Sequence, residues 1–299
     1  MTAVKWIAAD WGTSALRVWL MGADAPQLLR SDKGMGGLEP NQFEAALLDL
    51  IGPHLSNGPV PVIACGMVGA RQGWAEAPYA KVPCIPPGVG NATLPAVSDR
   101  RLNMYILPGV SQDNPPDVMR GEETQIAGFL ALNPDFDGVL CLPGTHTKWV
   151  QISAGEIVSF QTAMTGELFA LLSRQSVLRH SIGPGWNDAA FAEALSDAMS
   201  RPQAIASKLF QLRANSLLHT PSPDAARARL SGLLIGLELA ATKPYWLGQR
   251  VDLIGDAALC AHYADALAVQ GLKPEHTNAD QMTLAGLTAA YQSLQETSS

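Results

Sequence analysis

The chain has 299 residues, of which 47% are hydrophobic and 16% are charged. This balance excludes a disordered chain and predicts a globular protein of two domains. The formal net charge of −7 argues against a nucleic-acid partner, because phosphate backbones are bound by clustered Lys and Arg side chains.

The N-terminal segment has neither the basic flank nor the apolar stretch of a signal peptide. The most apolar later stretch, Ser231 to Ala241, contains Glu238 and is too short to span a bilayer. We therefore expect a cytoplasmic protein without a membrane partner. Four cysteines occur without a Cys-x-x-Cys pair, so we expect buried thiols rather than a zinc site or a disulfide framework.

The first predicted element is a hairpin. An apolar strand, Trp6 to Ala9, leads into a turn at Gly12-Thr13, and a second strand runs from Leu16 to Met21. A turn at residues 22–24 and a third stretch then lead to Gly34. Short apolar runs broken by Gly, Asn or Asp are typical of strands joined by tight turns.

The turn after the first strand has residues suited to phosphate. Gly12 lets the backbone approach a phosphate closely, and Thr13 and Ser14 offer amide and hydroxyl donors. Asp10 at the strand end could hold Mg²⁺ directly or through water, because Mg²⁺ prefers one or two carboxylates plus phosphate oxygens. An ordinary β-turn that begins with Asp is the alternative interpretation.

A helix follows, with apolar residues at positions 43, 46, 47 and 50 on one face, and then a buried strand, Val60 to Cys65. The strand ends in a Gly-rich loop, Gly66 to Trp74. Within it, Gly69, Arg71 and Trp74 are candidate substrate contacts, because a bare backbone can approach a ligand and a guanidinium pairs bidentately with a carboxylate. The alternative is a Gly-rich loop with a surface arginine.

A Pro-rich stretch, Pro108 to Pro116, predicts the boundary between an N-terminal lobe, residues 1–108, and a C-terminal lobe, residues 109–299. The next helix opens at Glu122-Glu123. Either glutamate could accept the proton of a substrate hydroxyl as a general base. Carboxylates in a first helical turn are equally explained by the helix dipole.

Residues 138–166 repeat the pattern of residues 6–34 at a spacing of 132 positions without a gap. The second copy has strands at Val139 to Leu142 and Lys148 to Ile152, and a hairpin turn at Ala154-Gly155. Four residues are identical in the two copies: Gly12, Thr13, Val18 and Gly34 match Gly144, Thr145, Val150 and Gly166. A chance likeness between two hairpins is the alternative, but the chemistry of the turns favours a duplication.

The second Gly-Thr turn also has phosphate-binding chemistry. Gly144 and Thr145 repeat the first turn, and His146 and Lys148 could add a donor or a positive charge. Lys148 is also a candidate substrate contact. Two such turns, facing each other across a cleft, could hold the β- and γ-phosphates of a nucleotide from opposite sides. A turn histidine and a surface lysine are the alternatives.

Further helices are predicted after Asn187 and between Ser222 and Pro244. A last buried strand, Val251 to Ile254, runs through Gly255-Asp256 into a helix, a corner that suits an adenosine or its ribose. Any strand-to-helix corner would look similar. Strands that alternate with helices predict an α/β fold in which each lobe is a mixed sheet flanked by helices.

Taken together, these motifs resemble the 2-dehydro-3-deoxygalactonokinase family, a sugar-kinase branch of the actin-like ATPase superfamily. The resemblance runs end to end and rests on the following segments: Asp10-Trp11-Gly12 with Arg17 and Trp19, Gly66-Met67-Val68-Gly69 with Gly73-Trp74 and Ala77-Pro78-Tyr79, Met119-Arg120-Gly121-Glu122-Glu123-Thr124-Gln125, Pro143-Gly144-Thr145-His146 with Lys148-Trp149-Val150, Met164-Thr165-Gly166-Glu167-Leu168, and Leu230-Ser231-Gly232-Leu233-Leu234-Ile235-Gly236. It implies two ribonuclease-H-like lobes with a cleft between them. It also implies transfer of the γ-phosphoryl group of ATP, with Mg²⁺, to the terminal C6 hydroxyl of 2-dehydro-3-deoxy-D-galactonate in galactonate catabolism.

By the same resemblance, Asp10 and the Gly12 to Ser14 turn match the first phosphate motif, Gly144 to His146 the second, and Gly255-Asp256 the adenosine motif. Two positions depart from the wider superfamily: small residues are commoner at His146, and Gly is usual at Asp256. The relatives' catalytic Asp at a helix start has no counterpart, which leaves Glu122 and Glu123, with Asp10, as candidate bases.

Two other functions are compatible with these motifs. One is a kinase for another hexose or an amino sugar, and the other is a non-catalytic, sugar-responsive nucleotide-binding protein. Regulators of this superfamily usually carry a DNA-binding segment, and none is expected before a strand that starts so close to Met1. The sequence leaves the oligomeric state open, and a homo-oligomer is compatible with it.

Overall fold

The computed structural model describes residues 4–22, 24–56, 58–219 and 222–297. Its contacts divide the chain into two compact units, one made of Met1–Asp137, Ile152–Ser159 and Ala279–Ser299, the other of Gly138–Gln151 and Phe160–Asn278. These units differ in extent from the expected lobes 1–108 and 109–299, because residues 109–137 and the C-terminal helix pack with the first unit. A functional boundary at residue 108 stays a prediction.

The strands, numbered in chain order, are β1 (Trp6–Trp11), β2 (Leu16–Met21), β3 (Gln27–Ser31), β4 (Val60–Gly66), β5 (Tyr79–Lys81), β6 (Leu102–Ile106), β7 (Gly109–Asp113), β8 (Pro116–Met119), β9 (Gly138–Leu142), β10 (Thr147–Ser153), β11 (Glu156–Ala163), β12 (Val251–Gly255) and β13 (Glu275–Asn278). The helices are α1 (Phe43–Ile51), α2 (Glu122–Leu132), α3 (Thr165–Arg174), α4 (Asp188–Ser200), α5 (Ile205–Leu218), α6 (Pro223–Ala241), α7 (Lys243–Trp246), α8 (Ala257–Ala268) and α9 (Ala279–Thr297). Each strand and helix predicted from the sequence is present, and the turn at residues 22–24 includes position 23, which lies outside the described residues.

The main sheet of the first unit has the strand order β3-β2-β1-β4-β6. β1 pairs antiparallel with β2 and parallel with β4, so Asp10 lies opposite Arg17 on one side and Cys65 on the other. β1 is buried along its whole length, with Ile7 and Ala9 on the face that α1 covers, and Trp6 and Ala8 on the face that α9 covers. Burial on both faces explains why this strand is apolar throughout and then ends in polar residues.

The Pro-rich stretch that predicted a boundary forms part of a smaller sheet with the order β5-β7-β8. β7 and β8 pair antiparallel, with Ser111 opposite Val118. Prolines are tolerated there because they stand at the strand ends and in the connection, where no ladder hydrogen bond is required of them. The hairpin leads directly to α2.

The sheet of the second unit has the order β11-β10-β9-β12-β13, with β12 parallel to β9 and to β13. In both main sheets the first three strands in sequence lie side by side, and the remaining two follow beside the first strand. The predicted hairpin turn between β10 and β11 is formed by Ala154 and Gly155, both with positive φ (51° and 76°). Two sheets of one topology are the arrangement that a duplicated unit predicts, and the mixed sheets flanked by helices confirm the predicted fold class.

Helix starts follow the sequence signals closely. The side chain of Asn187 accepts the N–H of Ala190 at the start of α4, and Ser222 caps α6 ahead of Pro223. α1 differs, because a short 3₁₀ turn with a Glu39 and Gln42 capping box precedes it. Among the described residues, no helix combines the length and the apolar character that crossing a bilayer requires.

The cysteines are free thiols. Cys65, Cys141 and Cys260 are buried as expected, whereas Cys84, which pairs with Ile157 through an isolated bridge, is half-buried. Burial raises the pKa of the Cys65 and Cys141 thiols well above the usual value, so both stay protonated and pack as small apolar groups.

Candidate active site

The first Gly-Thr turn connects β1 to β2. It is closed by the N–H of Gly12 donating to the carbonyl of Ala15 at 2.9 Å, and it leaves the side chains of Thr13 and Ser14 exposed. Gly34 packs closely against the backbone of this turn, since a Cβ at position 34 would lie 2.3 Å from the carbonyl carbon of Ser14. The turn is therefore a supported backbone with free hydroxyl donors, which suits the predicted phosphate contact.

Asp10 lies inside β1, one residue before its end, and is 9% exposed. Arg17 on β2 donates to Asp10 Oδ2 and also to Asp280 in the first turn of α9. Burial raises the pKa of Asp10, and the Arg17 guanidinium opposes that shift. Arg17 thus holds the Asp10 carboxylate in place and connects it to the start of the C-terminal helix.

The start of α2 lies beside the end of β4. Gly121 has φ of 109°, and a Cβ there would stand 3.4 Å from the Cα of Gly66. Glu122 is half-buried, and its Oε2 accepts the N–H of Arg120 at 3.1 Å. A Cβ at Gly66 would lie 3.3 Å from Asp10 Oδ1, so Asp10 and the start of α2 both lie against Gly66. The charge of Glu122 adds to the upward shift that burial causes in the pKa of Asp10.

Glu123 has a different environment. It is 1% exposed, and both of its carboxylate oxygens accept the N–H of Gly121, at 2.7 and 2.8 Å. Burial, with a further contribution from the charge of Glu122, raises the pKa of Glu123 to about 7. Its carboxyl stabilises the first turn of α2 from within.

The Gly66 to Trp74 loop follows β4 and turns back on itself, with the N–H of Trp74 donating to the carbonyl of Val68 at 2.9 Å. The Trp74 ring packs edge-on against Trp11 and stacks near Phe43, so it contributes to the core of the first unit. Arg71, unlike Trp74, does not pack against the core. Its side chain is 82% exposed, and its ionic contact with Glu76 is 4.0 Å long.

The second Gly-Thr turn connects β9 to β10 and is supported in the same manner as the first. A Cβ at Gly166 would lie 2.3 Å from the carbonyl oxygen of Gly144, and the N–H of Glu167 donates to the carbonyl of Thr145 at 2.9 Å. His146 Nε2 bonds to the carboxylate of Glu167. Each turn thus packs against the last glycine of its own copy, as the duplication predicts.

Lys148 is not the surface lysine of the alternative interpretation. It is 4% exposed and donates from Nζ to the carbonyl of His146 at 3.1 Å. The ammonium group therefore stands under the second turn and brings a buried positive charge to it.

A cavity of about 710 Å³ opens beside the second turn. Its wall includes Gly144 and Thr145 of the turn and Thr165 and Gly166 at the start of α3, with further lining from Phe169, Trp186, Arg227, Ser231, Leu234, Ile235, Leu259, His262 and Tyr263. The rings of Trp186 and His262 stack, with centroids 3.9 Å apart. Burial lowers the pKa of His262, so the imidazole in this stack is neutral at pH 7. The cavity combines aromatic surface with a polar turn, as small-molecule sites do.

Glu238 lies on α6 beneath this cavity and is buried. Its Oε1 accepts the indole N–H of Trp149 at 2.8 Å, and its Oε2 accepts the hydroxyls of Thr165 and Tyr263, the latter at 2.8 Å. Burial raises the pKa of Glu238, and these hydrogen bonds oppose the shift. One carboxylate therefore links β10, α3 and α8 around the cavity.

The predicted adenosine corner lies between β12 and α8. The carboxylate of Asp256 caps α8 by accepting the N–H groups of Ala258 and Leu259 at 3.0 and 3.1 Å. A Cβ at Gly255 would stand 2.8 Å from Cys260 Sγ, so this glycine is needed for packing. The cavity is lined by later residues of α8, Leu259, His262 and Tyr263, rather than by the corner itself.

Whether Mg²⁺ can bind near the first turn depends on which side-chain oxygens are available as ligands. Among the residues that the structure describes, no group of three His, Cys, Asp or Glu side chains could hold a metal ion by itself. Mg²⁺ in phosphoryl-transfer sites is held by one or two carboxylates together with phosphate oxygens and water, so a full protein cage is not required. Asp10, with Arg17 on one oxygen and Gly66 beside the other, fits as such a single carboxylate.

Several residues of these sites were not assigned a role from the sequence. Arg120 was only part of the Met119 to Gln125 motif, and Glu238 was only a charge inside an apolar helix. Trp186 and His262 belong to no motif that the sequence analysis identified. An isolated glutamate in an apolar run is a usable signal, because such a charge needs partners. The stacked pair had no signal, because its members are 76 positions apart.

Comparison with known proteins agrees with these motifs. The family model described as 2-keto-3-deoxy-galactonokinase matches residues 10–290. A probable 2-dehydro-3-deoxygalactonokinase of Rhizobium meliloti is 40% identical over 303 residues, with 98% of each chain covered. The 2-dehydro-3-deoxygalactonokinase of Escherichia coli is 37% identical over 292 residues, covering 96% of this chain and 97% of that protein.

A solved structure extends the likeness to three dimensions. The crystal structure of a candidate 2-dehydro-3-deoxygalactonokinase from Sinorhizobium meliloti has a TM-score of 0.89 and 39% identity, and 96% of each chain is covered. The family resemblance that the motifs indicated is confirmed: the chain belongs to the 2-keto-3-deoxy-galactonokinase family.

Proposed function

We propose that this chain transfers the γ-phosphoryl group of ATP to the C6 hydroxyl of 2-dehydro-3-deoxy-D-galactonate, in galactonate catabolism. The observation that carries the proposal is the match, over nearly the whole chain, to relatives that bear the name of this activity. Both phosphate turns and the start of α2 lie within the matched residues. Because ATP and sugar acids are metabolites of the cytoplasm, we expect the protein there.

The cavity beside the second turn is the proposed ATP site. Gly144 and Thr145 offer backbone and hydroxyl donors to phosphate oxygens, and buried Lys148 adds a positive charge beneath them. The stacked Trp186 and His262 offer an aromatic face to a nucleobase. A volume of about 710 Å³ is within the range of small-molecule sites.

The carboxylates near β1 and α2 are proposed to serve the sugar acid. Glu122 is the proposed general base, because it is half-buried and lies near Asp10, whereas Glu123 is enclosed and bonded to its own helix turn. Glu122 takes the proton of the C6 hydroxyl, the oxygen forms a bond to the γ-phosphorus, and the bond from that phosphorus to the leaving oxygen of ADP breaks. Asp10 would hold Mg²⁺, which neutralises phosphate charge when bound.

A coupled ADP-release assay tests the proposal. The purified protein is supplied with ATP, Mg²⁺ and a panel of acceptors: 2-keto-3-deoxy sugar acids, neutral hexoses and amino sugars. We expect the highest kcat/KM with 2-dehydro-3-deoxy-D-galactonate. ADP release with a neutral hexose or an amino sugar only, or with no acceptor at all, would contradict the proposal.

Asp10→Asn tests the proposed metal role in the same assay. The amide keeps the hydrogen-bonding shape but removes the charge that Mg²⁺ requires, so turnover should fall by orders of magnitude with the melting temperature little changed. Asp113→Asn is the matched control, because Asp113 is exposed and pairs with Lys81 on the smaller sheet of β5, β7 and β8. Near-normal turnover of Asp10→Asn would refute the role.

A further inference from the structure

Arg120 stands at the junction of β8 and α2 with its guanidinium enclosed. Nη2 donates to the carbonyl of Ala77 at 2.8 Å, and the Tyr79 ring lies against the guanidinium with its centroid 4.3 Å from Cζ. Within the described residues, the buried Nε and Nη1 atoms have no hydrogen-bond partner. The charged side chain therefore has N–H donors, at Nε and Nη1, that the described residues do not use.

Such an arrangement is unfavourable for folding. A buried donor without an acceptor costs about 1–3 kcal/mol, and more when the group is charged. The charge of Glu123 acts on Arg120, but burial raises the pKa of Glu123 to about 7, so this counter-charge is only partly present at neutral pH. A charged group with unsatisfied donors favours an acceptor with a negative charge, and the part of the chain that the structure describes provides none at Nε or Nη1.

The surroundings keep this cation next to the Gly66 to Trp74 loop. A Cβ at Gly69 would lie 2.9 Å from Arg120 Nη1 and 2.9 Å from Ile106 Cγ2, so only glycine allows the loop to approach so closely. The N–H of Ala77 donates to the carbonyl of Gly69 at 2.9 Å, which fixes the loop there. Tyr79, whose ring lies against the guanidinium, is 40% exposed, so one neighbour of the enclosed cation is in contact with solvent.

We infer that Arg120 binds the carboxylate of the sugar-acid substrate and determines the preference for acids over neutral sugars. This inference rests on the proposed function and deepens it. An arginine matches a carboxylate in charge and in planar geometry, and the cation stands two residues from Glu122, the proposed base. Arg71, the arginine that the loop sequence pointed to, is 82% exposed, and an anion bound in full contact with water gains little.

The experiment crosses two arginine variants with two substrates. The variants are Arg120→Met, which keeps the length but removes the donors, and Arg71→Met as the matched control, an exposed arginine on the neighbouring Gly66 to Trp74 loop. The substrates are 2-dehydro-3-deoxy-D-galactonate and its C1 amide, which lacks the negative charge. The assay measures kcat and KM for each combination.

Arg120→Met should lower kcat/KM for the acid by about 10- to 100-fold, mainly through KM, as loss of a charge-assisted hydrogen bond predicts. For the amide, a poor substrate of the wild type, the same variant should change kcat/KM by less than about threefold. Arg71→Met should stay within about twofold for both substrates. An equal loss with the acid and the amide, or a larger loss in Arg71→Met, would overturn the inference.

A stability measurement separates binding from a structural role. At pH 6, where the Glu123 carboxyl is mainly protonated, Arg120→Met should melt close to the wild type, because removing the unsatisfied donors at Nε and Nη1 offsets the loss of the hydrogen bond from Nη2 to Ala77. The sugar acid should raise the melting temperature of the wild type and of Arg71→Met but not of Arg120→Met. A lower melting temperature of Arg120→Met with the acid still bound would assign Arg120 a structural role.

Arg120→Lys covers the case in which the methionine variant fails to fold. Lysine keeps the charge but loses the planar set of donors, so KM for the acid should rise with kcat little changed. An unchanged KM in Arg120→Lys would overturn the inference. If the wild type phosphorylates no sugar acid, the proposed function itself is wrong, and that outcome is distinct from every result with the variants.

Discussion

Glu123 shows how burial makes a single carboxyl sensitive to pH. Its pKa rises from the usual 4.5 to about 7, chiefly because the folded chain removes it from water. Between these two pH values the unfolded chain has lost the proton and the folded chain still holds it. The folded state therefore loses stability as the pH rises through this window, by about 3 kcal/mol in total.

Glu123→Gln should remove that pH dependence. The amide oxygen can still accept the N–H of Gly121, but it does not ionise, so the melting temperature of the variant should fall less between pH 5 and pH 8 than that of the wild type. The difference should amount to several degrees, measured by thermal unfolding across the pH series. Parallel curves for the two proteins would show that the Glu123 carboxyl is ionised in the folded state at both pH values.

At the scale of residues, the sequence predicts which side chains could take part in a reaction better than it predicts their burial and contacts. Asp10 and Glu122 were predicted as alternative candidate bases, with Asp10 also a candidate Mg²⁺ ligand, and Asp10 and the start of α2 both lie against Gly66. Trp74, by contrast, packs in the core, and Asp256 caps a helix. Burial and partners depend on contacts distant in sequence, and residue type and spacing do not encode them.

The ion pair between Arg17 and Asp280 is a second example of a contact that the sequence does not predict. These side chains are 263 positions apart, and neither position shows a local pattern that points to the other. The pairing arises because α9 returns to the first unit and covers one face of its sheet. A single sequence shows that α9 is a helix but not where it docks.

At the scale of elements, Glu238 holds β10, α3 and α8 together through three side-chain hydrogen bonds. Glu238→Leu would leave the indole N–H of Trp149 without its acceptor, at a cost of about 1–3 kcal/mol. We expect a lower melting temperature and a KM for ATP raised by about tenfold, because Thr165 and Tyr263 line the proposed ATP site. Glu238→Gln should have smaller effects, since its oxygen can serve Trp149 and its amide can donate to the two hydroxyls.

Asp252→Asn is the control for this prediction. Asp252 is another buried carboxylate of the second unit, bonded to Arg250 at 3.0 Å, and it does not line the cavity. The variant should lower the melting temperature without changing the KM for ATP. If KM rose in proportion to destabilisation in both variants, the Glu238 network would have no specific role in nucleotide binding.

Element prediction succeeded wherever a local signal was strong. The caps at Asn187 and Ser222 and the apolar face of α1 placed helices within a residue or two. The Pro-rich stretch forms the hairpin of β7 and β8, and a domain boundary at this stretch stays a prediction. Proline signals a turn reliably, but it does not distinguish a turn within a domain from a linker between domains.

At the scale of the whole molecule, the duplication is the feature that the sequence revealed most clearly. Four identities at a spacing of 132 were few, but one of them, Gly34 with Gly166, falls where a Cβ would meet backbone at 2.3 Å in both copies. A side chain is excluded at these two positions by contact, so glycine persists while the residues around it diverge. The matching strand order of the two main sheets is the structural counterpart of those identities.

Gly34→Ala and Gly166→Ala test whether the two turns depend on the same support. Each new Cβ would meet backbone at 2.3 Å, so each variant should lose about 1–3 kcal/mol of stability through local displacement. Hydrogen–deuterium exchange should rise at residues 12–15 in Gly34→Ala and at residues 144–147 in Gly166→Ala. Gly37→Ala is the control, because a Cβ there meets nothing within 4 Å. If one turn loosened and the other did not, the two copies would have kept their sequence likeness without a shared way of supporting the turn.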